Sequence, residues 1–137
     1  MIVVDTNVLA YALVHGEHTG TARAVFARDP DWAAPLLVRS ELRSVLVAQV
    51  RRGVLALSEA VAVLVGVEVA LQEREFEVES EGVLALALTS GCSSYDCEFV
   101  ALARALGVPL VTSDRQVLAA FPDRALSPEV FIEAGSR

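Results

Sequence analysis

Two short apolar runs, each delivering an aspartate at or just beyond its end, set the strongest limit on how this chain folds. Ile2-Val3-Val4 leads directly into Asp5, and Val108 to Thr112 leads to Asp114. Uninterrupted apolar runs of this length read as strands buried on both faces, as in a parallel sheet covered by helices. Between and around them the sequence reads as helices. One is capped by Thr6 or Asn7 and runs to about Leu13, and a second spans about Thr19 to Arg28. A short Trp32–Ala34 segment leads to Pro35, which opens a longer helix through Arg52, stopped by Gly53. Ser58 caps the next helix, to about Gln72, and Glu75 to Val78 reads as a strand.

The remainder alternates in the same way. A helix starts at Ser80 and stops near Gly91, and Ser93 or Ser94 caps another over Tyr95–Leu106, with Gly107 just beyond it. A short helix carries Val117 to Ala120, Arg124–Leu126 adds an edge strand, and Ser127-Pro128 opens the last helix. The expectation is an α/β sandwich with a short, mostly parallel sheet, in one domain over residues 1–137.

Composition removes several function classes. The chain has 54% hydrophobic residues, so it can bury a core, yet its longest uncharged stretch, Gly82 to Tyr95, is too short to cross a membrane. The start lacks the basic and apolar pattern of a secretory signal, so a cytoplasmic protein is expected. All eleven basic residues are Arg. The absence of lysine excludes a Schiff-base lysine, a P-loop lysine and the lysine of receiver-type or haloacid-type aspartyl phosphoryl chemistry. His15 and His18 share one interhelix loop, which leaves no serine with a histidine and acid partner and is weak as a zinc signature. Cys92 and Cys97 lack metal-type spacing and read as reduced, structural thiols.

The carboxylates carry the positive signal. In a parallel sheet ligands sit beyond the carboxyl ends of the strands, where Asp5 and Asp114 lie. Glu41 interrupts an apolar helical stripe made by Leu37, Val38 and Val45, with Ser44 beside it. A carboxylate placed so costs several kcal/mol, about 3–5 if its partner is removed, unless it is paired or faces a polar site. Asp96 repeats the pattern above Phe99, Val100 and Ala103, whereas Glu98 points away from that stripe and reads as solvated. Four converging carboxylates repel one another unless cations lie between them. An all-oxygen set suits Mg²⁺ or Mn²⁺ better than Zn²⁺, and such sites hydrolyse phosphodiesters.

Val4-Asp5-Thr6-Asn7-Val8-Leu9, Glu41, Tyr95-Asp96 through Ala103, and Leu110-Val111-Thr112-Ser113-Asp114 together resemble a PIN domain, specifically the VapC-like toxin ribonucleases. The resemblance spans essentially the whole chain. It implies a three-layer α/β/α sandwich and a Mg²⁺- or Mn²⁺-dependent endoribonuclease, the toxin of a toxin–antitoxin pair. Asp5 and Asp96 would be the primary metal ligands, with Glu41 and Asp114 completing the acidic set directly or through water. Thr6, Asn7, Thr112 and Ser113 would support it. Some members carry a further Asp or Asn two residues after the position of Asp114; here Gln116 stands there, which implies one firm ion and a weaker second. The resemblance also implies RNA as substrate, a small antitoxin lying across the site and a homodimer, or a hetero-oligomer with the antitoxin. The apolar helices at 37–50 and 58–71 are candidate contact surfaces. A catalytically silent PIN-like binding or scaffold module is the alternative; retention of all four acids favours the enzyme.

A net charge of −7 argues against a broad basic RNA surface. The charge is uneven, however: Glu68 to Glu81 holds six Glu and one Arg, a local −5, while the other twelve acids and ten Arg leave −2. RNA binding is therefore expected to depend on bound metal and on local Arg. Arg39, Arg43, Arg51, Arg52 and Arg115 are candidates for phosphate contacts, and Arg115 is the one beside the acids in the chain.

Overall fold

A computed structural model describes residues 1–135. Five parallel strands form one central sheet: β1 (Ile2–Val4), β2 (Trp32–Pro35), β3 (Glu75–Phe76), β4 (Leu110–Val111) and β5 (Ala125–Leu126), in the order β3-β2-β1-β4-β5. The helices are α1 (Thr6–Leu13), α2 (Thr19–Arg28), α3 (Val38–Arg51), α4 (Leu57–Leu71), α5 (Ser80–Ser90), α6 (Ser94–Leu106), α7 (Arg115–Ala120) and α8 (Pro128–Ala134). The chain moves outward from β1 to β3, then returns past β1 to β4 and β5. Right-handed crossovers consequently set α1 to α4 on one face and α5 to α7 on the other. The packing agrees: α1 meets α2, α3 and α4, while α5 lies on α6 and α6 covers β1, β2 and β4.

The three inner strands, β2, β1 and β4, are buried along their whole length, while the edge strands β3 and β5 are partly exposed. Ile2, Val3, Val4, Trp32, Leu110 and Val111 are buried in the sheet, and Leu9, Leu42 and Val100 close over them from the helices. At roughly 1.5–3 kcal/mol per fully buried aliphatic side chain, this core is the main stabilising contribution. At the far edge, the Arg28 guanidinium lies over the Phe131 ring at 4.4 Å and joins α2 to α8.

Local details depart from the sequence reading where hydrogen bonding overrides propensity. Pro35 ends β2 instead of opening a helix. The donors to β3 are the alternate residues, Ala34 to the Arg74 carbonyl at 3.1 Å and Leu36 to Phe76 at 3.0 Å, so a residue without an N–H fits between them. The helix then begins at Val38. Ala56, not Ser58, is the cap of α4, because Glu59 reaches back to the Ala56 N–H at 2.9 Å. The strands expected over 75–78 and 108–112 shrink to two residues each. Cys92 and Cys97 are both buried and unpaired.

Candidate active site

The sheet reverses its winding direction between β1 and β4, and in this fold class that reversal opens a crevice at the strands' carboxyl ends. A cavity of about 270 Å³ occupies it. Asp5 follows β1, Asp114 follows β4, Glu41 comes from α3 and Asp96 from the first turn of α6; all four line the cavity. No Arg or His does.

Asp5 and Asp114, not Thr6 or Asn7, are the helix caps here. Asp5 Oδ1 accepts the Val8 N–H at 2.9 Å, and Asp114 Oδ1 accepts the Val117 N–H at 3.0 Å. Capping and site-lining are thus performed by the same side chains: the cap fixes one oxygen's orientation and aims the carboxylate off the sheet end. Thr112 ties the two together. Its hydroxyl accepts the Asp114 N–H at 3.0 Å and donates to Asp5 Oδ2. Thr6 does the equivalent for Glu41, donating to Oε1 at 2.9 Å. Asp96 is held through its backbone, where its N–H donates to the Ser93 hydroxyl at 3.0 Å.

Asp5, Glu41 and Asp96 are partly withdrawn from water while Asp114 is exposed, and among the described residues no basic side chain lines the cavity with them. Burial pushes the Asp5 carboxyl above its usual range, Thr112 and the Val8 N–H pull the other way, and Asp114 and Glu41 push further up. Burial also raises Glu41, against the Thr6 hydrogen bond and reinforced by Asp96. Asp96 is raised by burial, opposed by Ser93, with Asp114 adding to the rise. A site with this electrostatic balance favours a cation. Its donors are hard oxygens, which fit Mg²⁺ or Mn²⁺. Among the described residues, no three His, Cys, Asp or Glu side chains close on one point as a ready-made cage. The acids instead rim an open cavity, the form suited to an ion that keeps several waters.

Other expectations are redistributed. Asn7 lines the cavity, but Ser113 and Arg115 do not; Ser113 faces a small hollow beside Tyr11 and Pro128. Gln116 is also turned away, its amide donating to the Gly91 carbonyl at 3.1 Å and tying α7 to the turn before α6. Glu98 is not solvated: it is half-buried, and both burial and nearby Glu41 raise its carboxyl. Ser44, Val45, Phe99 and Val117 line the cavity without having been singled out as site residues. Helical spacing from Glu41 and Asp96 marks the first three. Arg39 is engaged by Glu75 at 2.5 Å and is not free for phosphate, whereas Arg43, Arg51, Arg52 and Arg115 form no ion pair among the described residues.

The PIN domain family model matches residues 2–123. The chain belongs to the PIN domain family. Ribonuclease VapC3 of Pyrobaculum aerophilum is 31% identical over 124 residues, covering 88% of this chain and 95% of that one. Among solved structures, PAE2754 from Pyrobaculum aerophilum superposes with a TM-score of 0.75 at 24% identity, over 98% of this PIN domain chain and 88% of the other. A toxin-antitoxin complex from Klebsiella pneumoniae gives 0.67 at 21% identity, over 93% and 98%. FitAcB from Neisseria gonorrhoeae gives 0.69 at 19%, over 94% and 99%. These three structures share the fold of this PIN domain. Among the described residues, no helix is long and apolar enough to cross a membrane.

Proposed function

We propose that this PIN domain, working as a single unit over residues 1–137, is a divalent-metal-dependent endoribonuclease and the toxin of a toxin–antitoxin pair, acting in the cytoplasm. The observation that carries the reading is the cavity with four carboxylates from four segments and, among the described residues, no basic side chain on its wall. Its 31% identity to a ribonuclease supports RNA as the substrate.

Asp5 and Asp96 serve as the primary holders of Mg²⁺ or Mn²⁺, with Glu41 and Asp114 completing the set directly or through water. The ion, when bound, supplies Lewis-acid stabilisation of phosphate charge and eases deprotonation of a water. Thr112 and Thr6 keep Asp5 and Glu41 in fixed orientations against their mutual repulsion. Gln116, committed to Gly91, adds no ligand, which favours one firm ion over two. Asn7 and Ser44 offer neutral hydrogen bonds at the cavity wall. Phosphate approach falls to Arg115, exposed and without an ion-pair partner among the described residues.

The partners on this reading are a small antitoxin whose tail covers the acids, and a second copy of the chain. The exposed apolar stripe of α4 supports a protein contact there. The toxin–antitoxin description of the Klebsiella pneumoniae neighbour agrees with that assignment. The decisive experiment sequences RNA ends from cells expressing the wild-type chain or Asp5→Ala, beside cleavage of single-stranded RNA by the purified proteins with Mn²⁺. New 5′ ends in the wild type alone support the proposal. Equal cleavage by a folded Asp5→Ala protein overturns it.

A further inference from the structure

The loop holding His15 and His18 does more than join α1 to α2. A second cavity, of about 320 Å³, opens there and meets the acidic one, because Asn7 and Val45 line both. Its polar side chains are Asn7, Tyr11, His15, His18 and Gln49, together with the exposed Glu17 carboxylate and Thr19, whose hydroxyl is already bonded to the Gly16 N–H and the Val14 carbonyl. The Tyr11 hydroxyl, both imidazoles and the Gln49 amide make no hydrogen bond to protein among the described residues. Apolar walls come from Val14 and Val54, and the Tyr11 and His18 rings lie 4.6 Å apart, tilted by 38°.

Flat aromatic and aliphatic faces, combined with unspent donors and acceptors at the edge, are what a nucleobase needs: stacking on its plane and hydrogen bonds on its rim. Tyr11 lies six residues beyond Asp5, about 9 Å along the α1 axis. A base one nucleotide from a phosphate at the acids can span that distance. Resting on the ribonuclease reading above, we propose that the α1–α2 cavity is a base-binding subsite for single-stranded RNA, in which Tyr11 and His18 stack and Gln49 and His15 read the base edge. The acids then cleave, and this cavity selects which phosphate is presented.

The chain has only two histidines, so two imidazole C–H proton resonances report directly on this cavity. Titrating the Mg²⁺-loaded wild-type protein with short single-stranded RNA carrying uncleavable phosphonate linkages should move both resonances saturably. An oligomer abasic at the reading position should bind at least about tenfold more weakly. Nucleoside 5′-monophosphates, compared with ribose 5-phosphate, separate recognition of a free base from recognition that requires the chain. Tyr11→Leu and His18→Ala should each weaken base-dependent binding about tenfold and flatten the wild-type preference at one position flanking the cut in a randomised RNA library. His18→Ala removes a ring without a structural hydrogen bond, so it tests the subsite even where Tyr11→Leu folds poorly. Cleavage with unmoved imidazoles, or equal binding of abasic and base-bearing RNA, overturns the subsite and leaves the nuclease standing. No cleavage and no RNA binding by the wild type overturns both.

Discussion

The Thr6 hydroxyl at the start of α1 donates to Glu41 Oε1 on α3 at 2.9 Å, linking residues 35 positions apart. Thr6 is itself buried, so the donor has no water to replace it. Thr6→Val keeps the shape and removes the donor, leaving a half-buried carboxylate less satisfied. The expected cost is about 1–3 kcal/mol at pH 7. Because this hydrogen bond lowers the Glu41 carboxyl, its loss raises that group further, and the cost should shrink as Glu41 takes up a proton. Urea denaturation at pH 7 and pH 5 checks both statements; an equal cost at the two values would detach Thr6 from the ionised form of Glu41.

The order of elements was legible because apolar runs, caps and glycine stops act locally. The Ile2–Val4 and Leu110–Val111 strands, the Ser93 cap and the Gly91 and Gly107 helix ends all rest on such signals. The same locality explains the failures. Pro35 looked like a helix opener because its place between two β3-bonded neighbours depends on a strand some 40 residues away. Gln72 and Glu73 adopt φ of 47° and 66°, a left-handed turn usually marked by Gly or Asn, and neither residue type announces it. In the site, the four acids were readable from strand ends and helical stripes. The turning-out of Ser113 and Gln116 was not, since it depends on how α7 docks on the Gly91 turn.

The raised carboxyls carry a linkage consequence for the metal-free protein. Unfolded, Asp5 and Asp96 return to an ordinary value of 3.8 and Glu41 to 4.5; folded, all three hold protons more tightly. The native state therefore binds more protons than the unfolded chain above those values, and their contribution to stability is fully present below about pH 3.8 and lost as pH rises through the folded values. Asp96→Asn and Glu41→Gln should melt a few degrees above wild type at pH 7 in chelator and converge with it near pH 4. Melting curves across pH 4–8 measure this. Variants less stable than wild type at pH 7 would show that the cost of burying these charges, and their smaller mutual repulsion, is already relieved.

A cation should provide the same relief. At ten times its Kd, Mn²⁺ binding to the native state alone adds about 1.4 kcal/mol, or about 3–6 °C in melting temperature for a chain of this size. Asp5→Asn and Asp96→Asn should abolish the shift, while Arg115→Ala, outside the cavity, should preserve it. A shift that survives in a folded Asp96→Asn protein would remove Asp96 from the ligand set. Isothermal titration gives the stoichiometry, with one site of clear heat expected.

The α4 helix has apolar residues around most of its circumference, but only one side faces the core. Ala60, Val63, Val67 and Leu71 are buried, whereas Leu57, Val61, Val65 and Val69 are each more than half exposed and line up at four-residue spacing. A stripe of this kind on a small chain is a contact surface in waiting. Light scattering at micromolar concentration should give twice the 14.6 kDa chain mass. Val65→Glu with Val69→Glu should return it to a single chain mass, with monomer stability within about 0.5 kcal/mol because neither side chain contributes to the core. A wild type already at the single mass would remove the homodimer. A mass unaffected by the double substitution would move the interface off α4.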